Sequence, residues 1–182
     1  MEIIYAAMGG FALDLLLGDP AWMPHPVVGM GRCITFLERR LRALFPGTPG
    51  GERAAGWVLA AALPLGTLAL SLGLLHLCRL IHPVLAFTLE TVWCWQALAV
   101  RGLAAESENV RRSLTGGTLE EARRAVGRIV GRDTGALSPQ GVTRAAVETV
   151  AENFADGVAS PMVYMLLGGA PQALCCKAVN TM

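Results

Sequence analysis

Between Trp57 and Leu77 the chain carries no aspartate, glutamate, lysine or arginine. A charge-free apolar run of roughly twenty residues matches the hydrocarbon thickness of a bilayer, where every backbone polar group must be satisfied within the segment. The run therefore calls for a helix and for a membrane around it. Composition agrees: apolar residues make up 53% of the 182, and mean hydropathy is +0.48, high for a soluble protein of this size. The stretch from Leu80 to Val100 matches the first in length but includes His82, Pro83 and Glu90, so one side of it should face protein or a cavity. The stretch from Ile3 to Leu17 is shorter. Lacking a basic leader and a small-residue cleavage site, it is expected to be a retained first helix.

Only Cys78 and Arg79 separate the two longer runs, which predicts a helical hairpin. A hairpin places the arginine-rich stretches 32–53 and 101–144 on one side of the membrane, and the positive-inside rule makes that side cytoplasmic. Trp22, Trp57, Trp93 and Trp95 fall at the same ends, as an aromatic belt would. The amino terminus is then outside. Ile34, Leu37, Leu41, Leu44 and Phe45 follow helical spacing against Arg39, Arg40 and Arg42, the pattern of a helix lying in the interface. Leu103, Ser107, Val110 and Leu114 mark a second such helix, closed by Gly116 and Gly117. A capping box, Thr118 to Glu121, opens a third, with Leu119, Ala122, Val126, Ile129 and Val130 on its apolar face. No convincing strand alternation occurs. The expected fold class is all-α: a polytopic integral membrane protein with transmembrane helices plus cytoplasmic and interfacial amphipathic helices. It forms one membrane domain over 1–182, with spans near 3–17, 57–77 and 80–100, a broken helix over 158–179 and a cytoplasmic helical segment over 101–156. The net charge of +1 gives no reason to expect a nucleic-acid partner. The five cysteines, 33, 78, 94, 175 and 176, show no metal spacing and read as small reduced apolar residues.

The densest chemistry lies between Arg132 and Thr181. Ser138 and Pro139 read as an N-cap and first helical position and Gly157 as a stop. Within that helix Arg144, Glu148, Glu152 and Asp156 recur every four residues and share a face, while Ala145, Ala146, Val147, Val150 and Ala151 face packing partners. A solvated, salt-bridged surface has the same spacing. The apolar sequence on both sides argues for a site instead, because carboxylates near a membrane are rarely there for solubility. Gly131, Arg132, Asp133 and Thr134 suit an anion or a metal-bound nucleotide: arginine grips phosphate bidentately and aspartate holds hydrated magnesium. Two short apolar pieces around Gly168, Gly169 and Pro171 read as a broken helix, with Lys177, the only lysine, beyond the break as a phosphate or carboxylate partner.

Near the amino end, Gly18 and the prolines at 20, 24 and 26 are expected to present Asp19, His25 and Arg32 on a stiff loop, for which the bland reading is a rigid connector. Asp14, one turn from the end of the first span, either reaches the interface or shares a cavity with Glu90, itself expected to have a structural pairing role. There is no Walker A loop, so a nucleotide site would be of another kind.

Four blocks, in order, carry a resemblance. They are Asp14-Leu-Leu-Leu-Gly-Asp-Pro-Ala-Trp-Met-Pro-His-Pro-Val, Gly131-Arg-Asp-Thr, Arg144-Ala-Ala-Val-Glu-Thr-Val-Ala-Glu-Asn-Phe-Ala-Asp-Gly-Val-Ala-Ser-Pro and Lys177-Ala-Val-Asn-Thr. The chain resembles the adenosylcobinamide-phosphate synthases, the CobD/CbiB membrane proteins of cobalamin biosynthesis. The resemblance implies an ATP- and magnesium-dependent amide ligation joining adenosylcobyric acid to aminopropanol or aminopropanol phosphate. Its expected setting is the cytoplasmic membrane with the active face cytoplasmic. On that reading Asp133, Glu148, Glu152 and Asp156 are candidates for catalysis, and the first three for magnesium. Asp19, His25, Arg32, Arg132, Thr134, Arg144, Asn153, Ser160, Lys177 and Asn180 are candidates for substrate and phosphates. Partners would be the corrinoid, the aminopropanol compound, the lipid bilayer and other enzymes of the pathway. Chains of the family continue well past residue 182 with further membrane helices, so a C-terminally truncated chain, inactive alone, is expected. A transporter or a regulatory relative without the reaction is the alternative.

The orientation is testable with a membrane-impermeant thiol reagent on intact cells, which should spare Cys33 and reach Cys78. Labelling of Cys33 alone reverses the assignment.

Overall fold

The computed structural model describes every residue except Met1, Ala21 and Arg132. Helices joined by short turns make up the chain, and no strand occurs among the described residues. Helix α1 (Glu2–Leu17) and α4 (Pro83–Ala97) cross where both are small. A Cβ added to Gly10 would lie 2.6 Å from the Cys94 Cβ and from the Trp95 backbone nitrogen, and Ala6, Cys94 and Ala97 are fully buried beside it. Lipid tails are as apolar as leucine, so helices in a bilayer associate where small residues let backbones close in. Met165, Ala170 and Ala173 of α8 (Ser160–Asn180) complete this core. A second cluster joins Met30 of α2 (Pro26–Leu44), Leu63 of α3 (Pro49–Ile81), and Leu174 and Ala178 of α8. Helix α8 is thus the shared wall of both.

Leu65, Leu70 and Leu77 stay more than half exposed on α3, the outward apolar surface that a lipid-facing helix requires. Three stretches, Pro49–Ile81, Pro83–Gly116 and Pro139–Asn180, are long and apolar enough to cross a membrane. The end of the second stretch, α5 (Val100–Gly116), and the start of the third, α7 (Pro139–Phe154), join α6 (Leu119–Gly127) in burying Val110, Ala122, Ala125, Val126, Val142 and Ala145 as a separate layer. Its ends are set locally. Thr118 and Glu121 close a reciprocal capping box, and the Ser138 hydroxyl accepts from the Gly141 N–H at 3.1 Å. On α5 the Arg111 guanidinium donates to Glu108 Oε2 at 2.6 Å and that of Arg112 to Oε1 at 2.8 Å.

Several expectations are corrected. The hairpin turns at His82 and Pro83, not at Cys78 and Arg79, which occupy the last turn of α3. Pro83 has no N–H to continue a helix, and the His82 Nδ1 accepts from the Val84 N–H at 3.2 Å, so one helix stops and the next is capped at the same residue. Gly157 does not stop α7. Residues Ala155–Ala159 form a π turn that carries the helix into α8. Pro161, fully buried, lacks an N–H and would press on the carbonyl of Gly157 four residues back, and a widened turn relieves both problems. Trp95 is no belt residue, being only 6% exposed. Val147 faces outward at 64% exposure rather than toward a packing partner. Arg32 lies two turns inside α2, exposed, and not on a loop.

The α1–α4 crossing generates a stability test. Substituting Gly10→Val forces two backbones apart and should cost about 1–3 kcal/mol or more. At Gly73 in α3 a Cβ meets nothing within 4 Å, so Gly73→Val should be near neutral. Thermal midpoints in detergent compare the two, and equal shifts would refute the close crossing.

Candidate functional site

Helix α1 ends on Gly18, whose N–H returns to the Asp14 carbonyl at 2.8 Å. Its φ of 65° is the left-handed conformation that glycine adopts freely at a helix C-terminus. The loop beyond it is held from α4, more than seventy residues away in sequence. The Trp95 indole N–H donates to the Gly18 carbonyl at 2.9 Å and the Gln96 amide donates to the Pro24 carbonyl at 2.8 Å. His25 closes the loop by capping α2, its Nδ1 accepting from the Val27 N–H at 3.2 Å. That leaves its Nε2 turned toward Asp19 Oδ1 at 3.8 Å.

Asp14 lies beneath this loop, fully buried. Its Oδ2 accepts from the Val100 N–H at 2.8 Å. Ala99, which precedes α5, provides no side-chain cap, so Asp14 caps α5 from another helix, placing a carboxylate on a helix N-terminus where orphan N–H groups and the dipole both favour it. Its other oxygen, Oδ1, is buried with no hydrogen-bond partner among the described residues. Of the two alternatives for Asp14, reaching the interface or sharing a cavity with Glu90, the second is not met. Glu90 sits with His76, Arg79, Gly168 and Pro171, whereas Asp14 reaches the turn at the other end of α1.

The third contribution comes from the end of α8. Lys177 is half-buried and lies within electrostatic reach of Asp19, Asp156 and Asp14. Asn180 donates from its side-chain amide to the Asp156 carbonyl at 3.2 Å, tying α8 to the π turn. Three carboxyl groups surround one amine, so oxygen donors outnumber cations. Such a group suits a cationic or metal-bound ligand better than a bare anion.

The structure thus brings together Asp19, His25, Asp156, Lys177 and Asn180, with Ser160 half-buried at the start of α8. It does not gather the others. Asp133 Oδ1 accepts from the Gly135 N–H at 2.9 Å and the Thr134 hydroxyl donates to the Arg123 carbonyl at 3.0 Å, so both brace the turn before α7. Arg132 lies outside the described residues. Arg144 pairs with Glu148 at 2.7 Å on exposed helix surface, and Glu152 and Asn153 are exposed farther along the same helix. Among the described residues no group of three or more histidine, cysteine or acidic side chains is placed to hold a metal, so Asp133, Glu148 and Glu152 do not converge. The sequence reading left Asp14, Trp95 and Gln96 out of the site. A lone carboxylate inside an apolar helix was the available signal for the first. The two α4 residues carry none, since their role depends on a contact distant in sequence.

A family model described as CobD/Cbib protein matches residues 7–182. The chain belongs to the CobD/CbiB family. Among its relatives are a cobalamin biosynthesis protein CobD of Geobacter metallireducens, 47% identical over 171 residues, or 93% of this chain and 52% of the relative. A CobD of Halalkalibacterium halodurans is 43% identical over 98% of this chain and 54% of its own. A cobalamin biosynthesis protein CbiB of Salmonella typhimurium is 41% identical over 94% and 54%. This CobD/CbiB chain therefore spans about half the length of the curated relatives it matches. No solved structure matches it.

The cross-helix cap can be separated from any chemistry at Asp14. Substituting Asp14→Leu strands the buried Val100 N–H, which should cost about 1–3 kcal/mol and lower the thermal midpoint. Asp14→Asn retains an acceptor and should stay near the parent in stability. A midpoint for Asp14→Leu equal to that of Asp14→Asn would show that the cap contributes nothing.

Proposed function

We infer that this chain acts in cobalamin biosynthesis and contributes to an ATP- and magnesium-dependent ligation that joins a corrinoid carboxylate, adenosylcobyric acid, to aminopropanol or aminopropanol phosphate. The observation that carries the reading is the cluster of Lys177 with Asp14, Asp19 and Asp156 beside a loop clamped by Trp95 and Gln96. It combines with a family whose relatives are named for cobalamin biosynthesis. Amide formation from a free carboxylate requires that one carboxyl oxygen become a leaving group, and ATP with magnesium supplies that activation.

The chain's own residues supply the remainder. Lys177 offers a cation against the charge that develops on transferring phosphoryl oxygens. Asp156, within the cluster, is an acceptor for the proton that the attacking amine must lose, and Glu152, one turn earlier on the exposed face of α7, is a second that substrate would reach from outside the cluster. Asp19 and His25, fixed by the loop, are donor and acceptor groups for orienting substrate. Magnesium prefers oxygen ligands, keeps several waters and needs only one or two carboxylates. Asp14 Oδ1, buried and unpartnered among the described residues, fits that requirement, and Asp133, Glu148 and Glu152 offer further oxygens singly. On this reading the site faces the cytoplasm from the cytoplasmic membrane, the side on which the positive-inside rule would put the arginine-rich segments. The broken helix α8 is the feature that a transport reading would use instead. Flux of a corrinoid without ATP-dependent product would favour it.

The test is ATP-dependent ligation by the intact gene product in detergent, with Glu152→Gln, Glu148→Gln and Lys177→Gln variants. Loss of a catalytic base or charge-stabilising group should lower turnover by on the order of a hundredfold or more, while an exposed, solvent-screened pair such as Arg144–Glu148 contributes little. Glu152→Gln and Lys177→Gln should therefore lose turnover with little change in thermal midpoint. Near-normal rates in both would defeat the reading.

A further inference from the structure

Helix α8 does not run straight. Gly168 (φ −151°, ψ 23°) and Gly169 (φ 72°, ψ −165°) leave helical geometry, and Pro171 sits where the second half begins, a position at which its missing N–H is not needed. This break is held from another helix. Glu90 of α4 is 6% exposed, its Oε1 occupies the space a Cβ on Gly169 would need, and its carboxylate lies within reach of the Ala170 backbone N–H. The orphan N–H at the start of the second half-helix thus meets a buried acceptor, and the left-handed glycine leaves room for it.

The two ends of that half-helix do different things. Its start is pinned by Glu90, and its other end delivers Lys177 and Asn180 to the acidic cluster. We propose that Glu90 is a positioning residue for Lys177: by fixing the break, it sets the direction along which residues 170–180 carry the ammonium to Asp14, Asp19 and Asp156. The activity consequence rests on the reading of that cluster as the reactive site. Seven residues separate Ala170 from Lys177, about 10 Å of helix, so a tilt of about ten degrees at the break moves Lys177 by about 2 Å. Misplacement of a reacting group by about 1 Å can cost on the order of a hundredfold in rate. A small error at the break is therefore amplified at the site.

Two conservative variants separate reach from charge. Glu90→Gln keeps the oxygen at the same distance and removes the charge; Glu90→Asp keeps the charge and withdraws the oxygen by one methylene. The first readout is acylation of Lys177, the only lysine, by an amine-reactive ester, followed by mass spectrometry of its peptide. The second is kcat and KM for ligation. Glu90→Gln should stay within about twofold of the parent in both, while Glu90→Asp should change the acylation rate severalfold and lower kcat by about tenfold or more at an unchanged thermal midpoint. Parent-like acylation in Glu90→Asp overturns the proposal. So does the reverse pattern, in which Gln is damaging and Asp is tolerated, because it would make Glu90 a charge partner for the nearby Arg79. Acylation needs no ligation to be observed. If the parent forms no amide product, the ligation reading fails and the acylation contrast still decides the positioning role.

Discussion

A carboxylate with no access to water must find donors inside the protein, and the way Asp14 does so organises the end of the bundle where α1 meets α5. Its Oδ2 meets the Val100 N–H, which joins the end of the first helix to the start of the fifth. That one junction connects the membrane-packed core, built on Ala6, Cys94 and Ala173, to the separate layer built on Val110, Val126 and Val142. Removing a buried acceptor leaves a desolvated donor behind, an outcome more costly than the hydrogen bond itself is favourable. The junction therefore constrains both sides: α5 cannot shift without stranding the Val100 N–H, and α1 cannot shift without leaving a buried carboxyl group unpartnered.

The loop between Gly18 and His25 gains its rigidity from the same region. Its prolines restrict backbone dihedrals, but restriction alone gives no address in space. The indole of Trp95 and the amide of Gln96 provide the address by holding two loop carbonyls. Asp19 and His25 are consequently carried by a segment whose shape is local and whose position is tertiary. The same division applies at the end of α8, where Gly168 and Gly169 permit a break and Glu90 decides its form.

That division explains what could be read from the sequence. The capping box at Thr118, the Ser138 cap and the apolar rows of α5 and α6 were legible because each depends on residues three or four apart. The all-helical membrane class was legible because no other structure satisfies the backbone across a charge-free run. Asp19, His25, Asp156, Lys177 and Asn180 were all flagged by residue type, and the structure brings them together. Their assembly could not be read, since it depends on contacts dozens of residues apart. The hairpin turn was displaced to His82 because a proline cap outweighed the short polar pair at Cys78 and Arg79. Gly157 was misread because burial of Val158 and Pro161 outweighs the modest cost, about 1 kcal/mol, of a glycine in a helix.

The π turn at Ala155–Ala159 has a consequence for the four-residue rhythm of Arg144, Glu148, Glu152 and Asp156. An α-helix advances about 100° per residue, so an extra residue in one turn rotates everything after it by about that angle relative to everything before. The row enters the widened turn at Asp156, so the residues beyond Ala159 do not continue its phase. Spacing by four, which holds Arg144, Glu148 and Glu152 on one face of α7, therefore says nothing of which way the side chains of α8 point.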